Sequence, residues 1–347
     1  MSFLEEELRS QFEALQSTVQ HVLGLRSRLT PVLQRVTHLV VLGCGSSYSV
    51  AKSTARQIAQ MTGIPTQAVA AGDLLVNFGD YKRILDGAAI LTLSRSGRTS
   101  ELVRAVETVR GEYPDQLVIS ACAVFDAPIS RLADVNMEIP WAFDQSVCQT
   151  RTVTNLYVVG LLVAAFLAND EQLIDDLVDI ATKSKAFTTR VEAEMSELAD
   201  ADWASAVVLA DSGMAGLAEE GALAFKEICR TPSSFYHVLD VRHGPIVLIN
   251  RQTIVLAMLS RGDIKLQSDV LRDIRKQTDH VVAFTSCQSL GVPGVDEICL
   301  PATSRDDVAA IFLLYCIQLL CFKRAQLRGL DPDQPEGLAP WINLGTQ

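Results

Sequence analysis

The chain has 347 residues, of which 48% are hydrophobic and 20% charged, and its net charge of -11 excludes the basic surface that nucleic-acid binding requires. This length predicts two domains, and the composition excludes a disordered chain. An anionic ligand remains compatible with the negative charge, because backbone N–H groups at a helix N-terminus bind phosphate.

The cysteines and the apolar segments predict a cytoplasmic protein. The eight cysteines lie mostly in apolar runs without a CxxC pair, which is typical of reduced core thiols. With five histidines and no ligand spacing, we expect no metal and no other cofactor. The acidic start, MSFLEEELRS, does not resemble a signal peptide. The apolar run 308–322 is shorter than the roughly 17–25 residues of a membrane span, so it predicts a buried helix and no membrane contact.

Residues 1–30 have apolar residues at helical spacing, which predicts an N-terminal helix that packs on the body or on a second subunit. Five short strands are predicted next, over 38–42, 67–71, 88–93, 117–121 and 135–139, with helices over 49–61 and 100–109. Short apolar strands that alternate with helices are typical of a parallel, doubly wound sheet.

The pattern recurs about 165 residues later. SAVVLADSGMAG is similar to HLVVLGCGSSYS, IVLAMLSRGD to AILTLSRSGR, and HVVAFTSCQ with EICLP to QLVISACAV with MEIP. Three matched strand ends in the same order indicate a duplication. We therefore predict an α/β chain of two tandem doubly wound, flavodoxin-like parallel-sheet domains. The predicted boundaries are an N-terminal helix at 1–30, domains at 31–185 and 186–328, and an irregular tail at 329–347.

The first motif is the loop GCGSS (residues 43–47), which follows a predicted strand and precedes a helix. Its glycines permit close backbone approach, and its hydroxyls and the helix N–H groups suit an oxyanion. Gly45, Ser46 and Ser47 are therefore candidate ligand contacts, and an ordinary tight turn is the alternative. The loop is not a dinucleotide fingerprint, because Tyr48 stands at the third glycine position of GxGxxG.

The second motif is SRSGRT (residues 94–99), with three hydroxyls and two guanidiniums at the C-terminal end of a predicted strand. Open α/β sheets bind ligands at that edge, and the helix that follows adds its dipole. Ser94, Arg95, Ser96 and Thr99 are thus candidate phosphate contacts. The alternative is an ordinary polar loop.

The third motif, SVCQTRT (residues 146–152), is polar and opens an apolar helix. Gln149 and Thr150 are candidate substrate contacts. A cap of the helix by Thr150 or Thr152 explains the same residues equally well.

The fourth motif pairs Glu227 in LAFKEI with His243 in DVRHGP, 16 residues later. A carboxylate and an imidazole suit an aldose–ketose proton shift, in which the first moves a proton between C1 and C2 and the second opens the ring. A solvated helix carboxylate and a structural histidine are the alternatives.

Together these motifs resemble the SIS (sugar isomerase) family, and most closely the isomerase half of glucosamine-6-phosphate synthase, from about residue 30 to the C-terminus. GCGSSY is similar to the first sugar loop of that enzyme, and SRSGRT to its phosphate loop SQSGET. SVCQTRTVT is similar to its GVASTKAFT segment, and LAFKEI with DVRHGP to LKLKEI with ELKHGP at the same 16-residue gap. Four motifs in order are far more specific than any one of them.

The resemblance implies a role for each motif. It implies that Glu227 is the base and His243 the ring-opening group. It implies a homo-oligomer, a dimer or larger, with the site at the subunit interface, because the histidine of HGP serves the neighbouring subunit in this family. It also implies that a set of hydroxyls holds the 6-phosphate: Ser47, Ser94, Ser96 and Thr99.

Two departures from the family affect the expected function. No glutaminase domain with its N-terminal cysteine precedes the sugar half, so we do not expect glutamine-derived ammonia as a substrate. Pro340 aligns with the Schiff-base lysine of the family, which disfavours glucosamine synthesis. In these respects the chain is more similar to stand-alone relatives such as fructoselysine-6-phosphate deglycase.

We therefore expect an enzyme that shifts a proton between C1 and C2 of a phosphorylated ketosamine or amino sugar, as a deglycase or an isomerase. The alternatives are a simple aldose–ketose phosphate isomerase and a non-catalytic sugar-phosphate sensor. A sensor needs the phosphate loops but no acid–base pair, and a helix-turn-helix module does not fit before the first strand.

Overall fold

A computed structural model describes residues 2–286 and 289–345, and these divide into two compact units. The first unit contains Arg9–Val178 together with the C-terminal segment from Ala339 onward. The second contains the residues before Arg9 together with Asp179–Leu338. The predicted boundary at 185/186 therefore falls inside a helix of the second unit, and the predicted tail divides between the units.

The first unit is built on a five-stranded parallel sheet. Its strands are β1 (Leu39–Gly43), β2 (Thr66–Ala70), β3 (Ala89–Ser94), β4 (Val118–Cys122) and β5 (Val135–Glu138). They are ordered β2-β1-β3-β4-β5, which is the flavodoxin-like order. Every predicted strand is present within one residue at each end. Because β1, β3 and β4 are buried along their whole length, they read as continuous apolar runs in the sequence.

Helices surround this sheet. They are α1 (Phe3–Gly24), α2 (Arg26–Leu33), α3 (Ser46–Thr62), α4 (Ala71–Val76), α5 (Phe78–Leu85), α6 (Ser100–Glu112), α7 (Arg151–Ala168) and α8 (Glu171–Val178). The sequence did not predict α4 and α5, which lie between β2 and β3. The predicted helices after β1 and β3 are present as α3 and α6 and are longer than predicted.

The N-terminal helix buries its apolar face in its own chain. Gln11 Nε2 donates a hydrogen bond to Thr154 Oγ1 (3.0 Å), and Thr18 Oγ1 donates to Asn155 Oδ1 (2.6 Å), both on α7. All four of these polar residues are fully buried. The predicted single helix over 1–30 is in fact two helices, since α1 ends at Gly24. This face therefore gives no reason to expect a second subunit.

The second unit repeats the architecture. Its strands are β6 (Ser205–Leu209), β7 (Ser233–Tyr236), β8 (Thr253–Met258), β9 (Val281–Thr285) and β10 (Asp296–Cys299). They are all parallel and run β7-β6-β8-β9-β10 across the sheet, which is the order of the first sheet. The helices are α9 (Ile180–Asp200), α10 (Ala215–Ile228), α11 (Ile264–Ile274) and α12 (Asp306–Leu327). A common strand order in both sheets is what the duplication predicts.

Among the described residues, two helices, α7 and α12, are long and apolar enough to cross a membrane. Length and composition alone are weak evidence for a membrane span, because the core helix of a soluble protein has the same properties. Their most apolar windows are 83% and 89% buried inside the structure, as in core helices. The prediction of a buried helix at 308–322 is confirmed by α12, which has 22 residues because its polar ends extend beyond the apolar run.

Six of the described cysteines carry thiols, five of them buried and Cys44 half-buried. Cys299 is disulfide-bonded, so the expectation of reduced thiols is wrong at that position. Apolar neighbours in the sequence indicate that a cysteine is buried, but they do not indicate whether it forms a disulfide. Cys287 lies outside the described residues. The cytoplasmic location stays a prediction.

Candidate functional site

Two of the predicted loops meet at one place on the first sheet. Strands β1 and β3 are paired neighbours, with Leu39 opposite Ala89 and Leu42 opposite Thr92. The chain continues from β1 to β2 on one side and from β3 to β4 on the other, so the strand order reverses between β1 and β3. The loops 43–47 and 94–99 follow these two strands. Open α/β sheets bind ligands in the crevice at this switch point.

The loop after β1 turns sharply into α3. Gly45 has a φ of 52°, a conformation that favours glycine. A Cβ at Gly43 would lie 2.5 Å from the backbone of Ser47, so the close approach of the helix also requires glycine there. Ser46 and Ser47 are buried in the first turn of α3. Within the described chain, α3 has no side-chain cap that would compete with a ligand at its N-terminus.

The loop after β3 presents two ordered hydroxyls. Ser94 Oγ accepts a hydrogen bond from the N–H of Gly97 (3.0 Å), and Ser96 Oγ accepts from the N–H of Arg98 (3.2 Å). Each hydroxyl therefore keeps its own proton for donation to a ligand oxygen. Gly97 has a φ of 61°, and a Cβ there would lie 2.5 Å from that of Ala127. The tight turn is thus specific to glycine.

The helix after this loop begins without a side-chain cap from the described residues. Thr99 occupies the N-cap position of α6, and its side chain makes no capping hydrogen bond. In the second sheet, by contrast, Asp263 occupies the N-cap position of α11 and accepts from the N–H of Leu266 (3.0 Å). Of the two corresponding loops, the one after β3 is therefore better suited to an anion, because the loop after β8 already holds a carboxylate.

Arg95 is not placed as a phosphate contact. The residue is 4% exposed, and its guanidinium donates through Nη1 to the carbonyls of Ser146 (2.7 Å) and Val147 (3.0 Å). Through Nη2 it also donates to the carbonyl of Pro340. A buried guanidinium must find acceptors for its donors, and here these are backbone oxygens. The sequence showed the donor but could not show acceptors that lie far away along the chain.

Asp144, which the sequence analysis missed, caps α7. Its Oδ2 accepts from the N–H groups of Thr150 (2.9 Å) and Thr152 (2.8 Å), whereas the Thr150 side chain makes no capping bond. Burial raises the pKa of Asp144, against the opposing effect of these N–H bonds and of nearby arginines. The interpretation of Thr150 or Thr152 as the cap is therefore wrong, because a carboxylate six residues before Thr150 occupies this helix end.

The polar segment before α7 still offers one acceptor. Thr150 is fully buried, and Gln149 is half-buried. The buried Oε1 of Gln149 has no hydrogen-bond partner among the described residues. A ligand hydroxyl that donates to this oxygen would satisfy it. Gln149 therefore remains a candidate substrate contact, and Thr150 contributes to the helix start.

The proposed acid–base residues belong to the second unit. Glu227 is half-buried in the last turn of α10, and His243 is exposed after the short 3-10 helix Asp240–Arg242. The loops after β1 and β3 belong to the first unit. The two pairs of motifs are thus carried by different compact units.

The loop around His243 is fixed on both sides. Arg242 pairs with Asp273 on α11 at 2.6 Å, and Gly244 has a φ of 121°, which a side chain would strain. Two large apolar side chains follow and are strongly exposed, Val247 at 82% and Leu248 at 70%. An exposed imidazole therefore lies in sequence beside an exposed apolar surface.

A cavity in the first unit lies away from these loops. It has a volume of about 750 Å³ and is lined by Arg35, Gly87, Tyr113, Gln116 and Val135, among others. These residues lie at the N-terminal ends of β3, β4 and β5, opposite the switch-point edge. None of the predicted site residues lines this cavity. Over residues 2–286 and 289–345, no group of three metal-binding side chains comes together.

Proteins of known structure share this fold. The tagatose-6-phosphate ketose/aldose isomerase from Escherichia coli superimposes with a TM-score of 0.86, at 25% identity over 98% of each chain. The C-terminal domain of glucosamine-fructose-6-phosphate aminotransferase from Francisella tularensis superimposes with a TM-score of 0.81, at 19% identity over 96% of this chain and 98% of that one. At 19% identity, the match to the Francisella tularensis domain is evidence for a shared fold only.

The sequence comparisons agree with the motifs. The chain is 24% identical over 371 residues to glutamine–fructose-6-phosphate aminotransferase from Photorhabdus laumondii, covering 99% of this chain and 59% of the relative. The chain thus spans about three-fifths of the length of that relative. Residues 32–166 match the SIS domain.

The protein is therefore of the tandem doubly wound α/β class, with its candidate ligand loops at the switch point of the first sheet. Residues 32–166 match the SIS domain, and the two sheets match two tandem SIS α/β domains, as the motifs predicted.

Proposed function

We propose that this chain is a sugar-phosphate isomerase that moves a proton between C1 and C2 of its substrate. The observation that carries the proposal is the loop after β3, where Ser94 and Ser96 keep hydroxyl protons beside the start of α6, which has no side-chain cap from the described residues. The names of the similar proteins support a 6-phosphate, since they specify tagatose 6-phosphate and fructose 6-phosphate.

In this proposal the switch-point loops hold the phosphate. Ser94, Ser96 and Thr99 donate hydroxyl protons to its oxygens, and Ser47 contributes from the loop after β1. Hydrogen bonds to a charged group are worth about 1.5–3 kcal/mol each, so these donors account for a strong preference for the phosphorylated sugar. Gly45 and Ser46 shape the wall of the crevice, and Gln149 Oε1 accepts from a sugar hydroxyl.

Glu227 is the proposed base and His243 the proposed ring-opening group. This assignment rests on the resemblance to the SIS enzymes and on the shared 16-residue gap between the two residues. The fixed, exposed position of the His243 loop supports a group that reaches out to a substrate. An imidazole has one ring nitrogen that donates a proton and one that accepts a proton, so it is suited to protonate or deprotonate a ring oxygen.

We further propose a homo-oligomer in which His243 serves the neighbouring subunit. The exposed Val247 and Leu248 beside His243 support it, because such apolar side chains are covered when subunits associate. The buried face of α1 no longer contributes to this argument.

The substrate class that we propose is a phosphorylated ketosamine or amino sugar. Removal of a proton from C1 of a ketosamine gives a C1–C2 enaminol with the proton that O2 gains. Return of a proton to C2 and loss of the N–H proton then leave an imine at C1 and a hydroxyl at C2, with no net change in protons. Water then hydrolyses the imine to an aldose 6-phosphate and the amine. Pro340 offers no amine that would form a Schiff base with a ketose. This disfavours glucosamine synthesis and favours a substrate that already carries its amine.

A simple aldose–ketose phosphate isomerase is the second candidate. The likeness to tagatose-6-phosphate ketose/aldose isomerase over 98% of both chains favours it. The same proton shift, without an amine at C1, interconverts a ketose and an aldose. The two candidates therefore share the site and differ only in the substrate.

A thermal-shift screen tests the proposal. We expect a hexose 6-phosphate or a ketosamine 6-phosphate to raise the melting temperature, and the unphosphorylated form of the same sugar to leave it unchanged. Equal stabilisation by both forms would contradict the phosphate assignment. Turnover of each stabilising ligand is then followed by NMR in deuterated water. Binding without turnover or proton exchange would favour the sensor over both enzymes.

A further inference from the structure

The segment that carries His243 is packed on α11. Val238 and Val241, which follow β7, are fully buried and belong to one apolar cluster. The cluster also contains three residues of α11: Val270, Leu271 and Ile274. Apolar packing therefore holds the base of the segment, while His243 lies exposed at its rim.

An ion pair at this rim connects the segment to α11. Arg242 donates to Asp273 Oδ2 through both Nε (2.9 Å) and Nη2 (2.6 Å). Lys276 Nζ lies 2.8 Å from Oδ1 of the same carboxylate. Hydrogen bonds from Lys276 and Arg242 lower the pKa of Asp273, so the carboxylate is ionised at neutral pH. The planar guanidinium, held by two bonds, has a more defined direction than an ammonium would have.

The His243 imidazole is not oriented by a group of its own. Neither ring nitrogen hydrogen-bonds to a residue within 2–286 or 289–345. The backbone N–H of His243 donates to the Asp240 carbonyl (2.8 Å), and Gly244 follows with a φ of 121°. A histidine that exchanges protons is usually oriented by a bond to its second ring nitrogen. Here the direction of the ring depends on the backbone and thus on the residues on either side of it.

We propose that Asp273 is a positioning residue for the proton transfer at His243 and that it acts through Arg242. The proposal rests on the function proposed above, in which His243 opens the sugar ring. In that step the C2–O5 bond breaks as O5 gains a proton and the C2 hydroxyl loses one, with no net change in protons. Without the ion pair, the rim of the segment moves more freely while its apolar base stays packed. A smaller fraction of the molecules then presents the imidazole in the reactive direction.

Kinetics on a ring-closed and a permanently open sugar test this role. The probe is the ketose 6-phosphate that turns over in the screen described above, starting with fructose 6-phosphate and tagatose 6-phosphate. Its 5-deoxy analogue lacks the hydroxyl that closes the furanose ring. We expect Arg242→Gln and Asp273→Asn each to lower kcat for the ring-closed sugar roughly tenfold, within the about 10²-fold that a misplacement of 1 Å costs. The kcat for the 5-deoxy analogue should stay nearly unchanged.

A double variant and a matched control identify the pair as the cause. If the two residues act as one unit, Arg242→Gln/Asp273→Asn loses no more than either single variant. Lys276→Gln is the control, because Lys276 pairs with the other oxygen of the same carboxylate and lies outside the His243 segment. We expect it to keep wild-type kcat on both sugars. Arg242→Lys keeps the charge without the planar fork and should recover part of the loss.

Equal losses on the two sugars, or losses that add in the double variant, would overturn the positioning role. Hydrogen–deuterium exchange of the ligand-free full-length protein tests the pair without a substrate. We expect the peptide that contains 237–244 to exchange at least about threefold faster in Arg242→Gln than in the wild type or Lys276→Gln. Equal exchange in all three proteins would also overturn the proposal. If no sugar phosphate turns over, the proposed function fails and the ring-opening role fails with it, while the exchange still decides whether the pair holds the segment.

Discussion

Ser94 Oγ accepts a hydrogen bond from the backbone N–H of Gly97 at 3.0 Å. This bond closes a turn in which Gly97 has a φ of 61°. It also uses an acceptor position of the hydroxyl and so leaves the proton of Ser94 for an outside acceptor. One side chain therefore shapes the loop and presents a donor from it.

We predict that Ser94→Ala weakens binding of a hexose 6-phosphate by about tenfold, because a hydrogen bond to a charged group is lost. Calorimetry of the wild type and the variant measures the change. Ser260→Ala is the matched control, since Ser260 Oγ accepts from the N–H of Gly262 (3.4 Å) in the loop after β8, where Asp263 caps the helix. Equal losses in both variants would mean that the loop after β3 is not the phosphate site.

The exposed apolar side chains beside His243 lead to a prediction about assembly. We expect Val247→Asp/Leu248→Asp to convert a dimer into monomers, because charges at a covered apolar surface cost desolvation. Light scattering at micromolar protein concentration measures the mass. Val76→Asp, at an equally exposed valine of the first unit, is the control and should not change the mass. A wild type that is already monomeric would contradict the proposed oligomer.

Cys44 gives a prediction about pH. Burial and the nearby Glu101 carboxylate raise the pKa of the Cys44 thiol to about 12. At pH 8 its thiolate fraction is then about 10⁻⁴, so we expect alkylation roughly a thousandfold slower than that of an ordinary thiol. Mass spectrometry after iodoacetamide treatment measures it, with the urea-unfolded protein as the control. Rapid labelling of Cys44 in the folded protein at pH 8 would contradict the raised pKa.

The raised pKa of Cys44 also makes the free energy of unfolding depend on pH. The folded protein holds the Cys44 proton more tightly than the unfolded chain, whose thiol titrates near pH 8.5. The contribution of Cys44 to the free energy of unfolding is therefore complete below about pH 8.5 and is lost as the pH rises toward 12. Urea unfolding of the wild type and of Cys44→Ala should show a smaller pH dependence above pH 8.5 in the variant.

The sheet of the first unit could be predicted from the sequence because its central strands are buried on both faces. Continuous apolar runs such as 39–43 and 89–94 have few other interpretations when Gly and Ser follow them. The strand β7 (Ser233–Tyr236) was missed because its four residues are all half-buried, so no apolar run marks it. The loops after β1 and β3 could be placed together because parallel strands end at one edge.

The roles of Arg95 and Asp144 could not be predicted from the sequence. Arg95 meets an acceptor in Pro340, 245 residues away, and no local pattern reports such a contact. Asp144 lies six residues before Thr150, outside the usual position of a helix cap, and reaches the helix because the intervening chain folds back. In both cases a donor or acceptor was visible in the sequence, while its partner depended on the tertiary structure.

Glu227 carries the sharpest prediction about mechanism. We expect Glu227→Gln to bind the sugar phosphate nearly as well as the wild type and to lose most of its turnover. Gln keeps the volume and a hydrogen-bonding oxygen, so the pocket is retained, while the basic carboxylate is removed. Positioned acid–base groups are typically worth about 10²–10⁴ in rate, and the loss should appear in kcat rather than in KM. Steady-state kinetics on the substrate found by the thermal-shift screen measure both constants.

Isotope exchange and a second variant separate the two proposed roles. Exchange of the C1 or C2 proton with deuterated water should stop in Glu227→Gln, because no group is left to remove that proton. In His243→Asn we expect slow turnover of the ring-closed sugar but nearly normal turnover of a substrate supplied in open-chain form, since only ring opening is affected. Lys226→Gln, at the exposed neighbour of Glu227, is the control for a change at the helix end. Wild-type turnover in Glu227→Gln would exclude Glu227 as the base and with it the proton-shift mechanism proposed for this site.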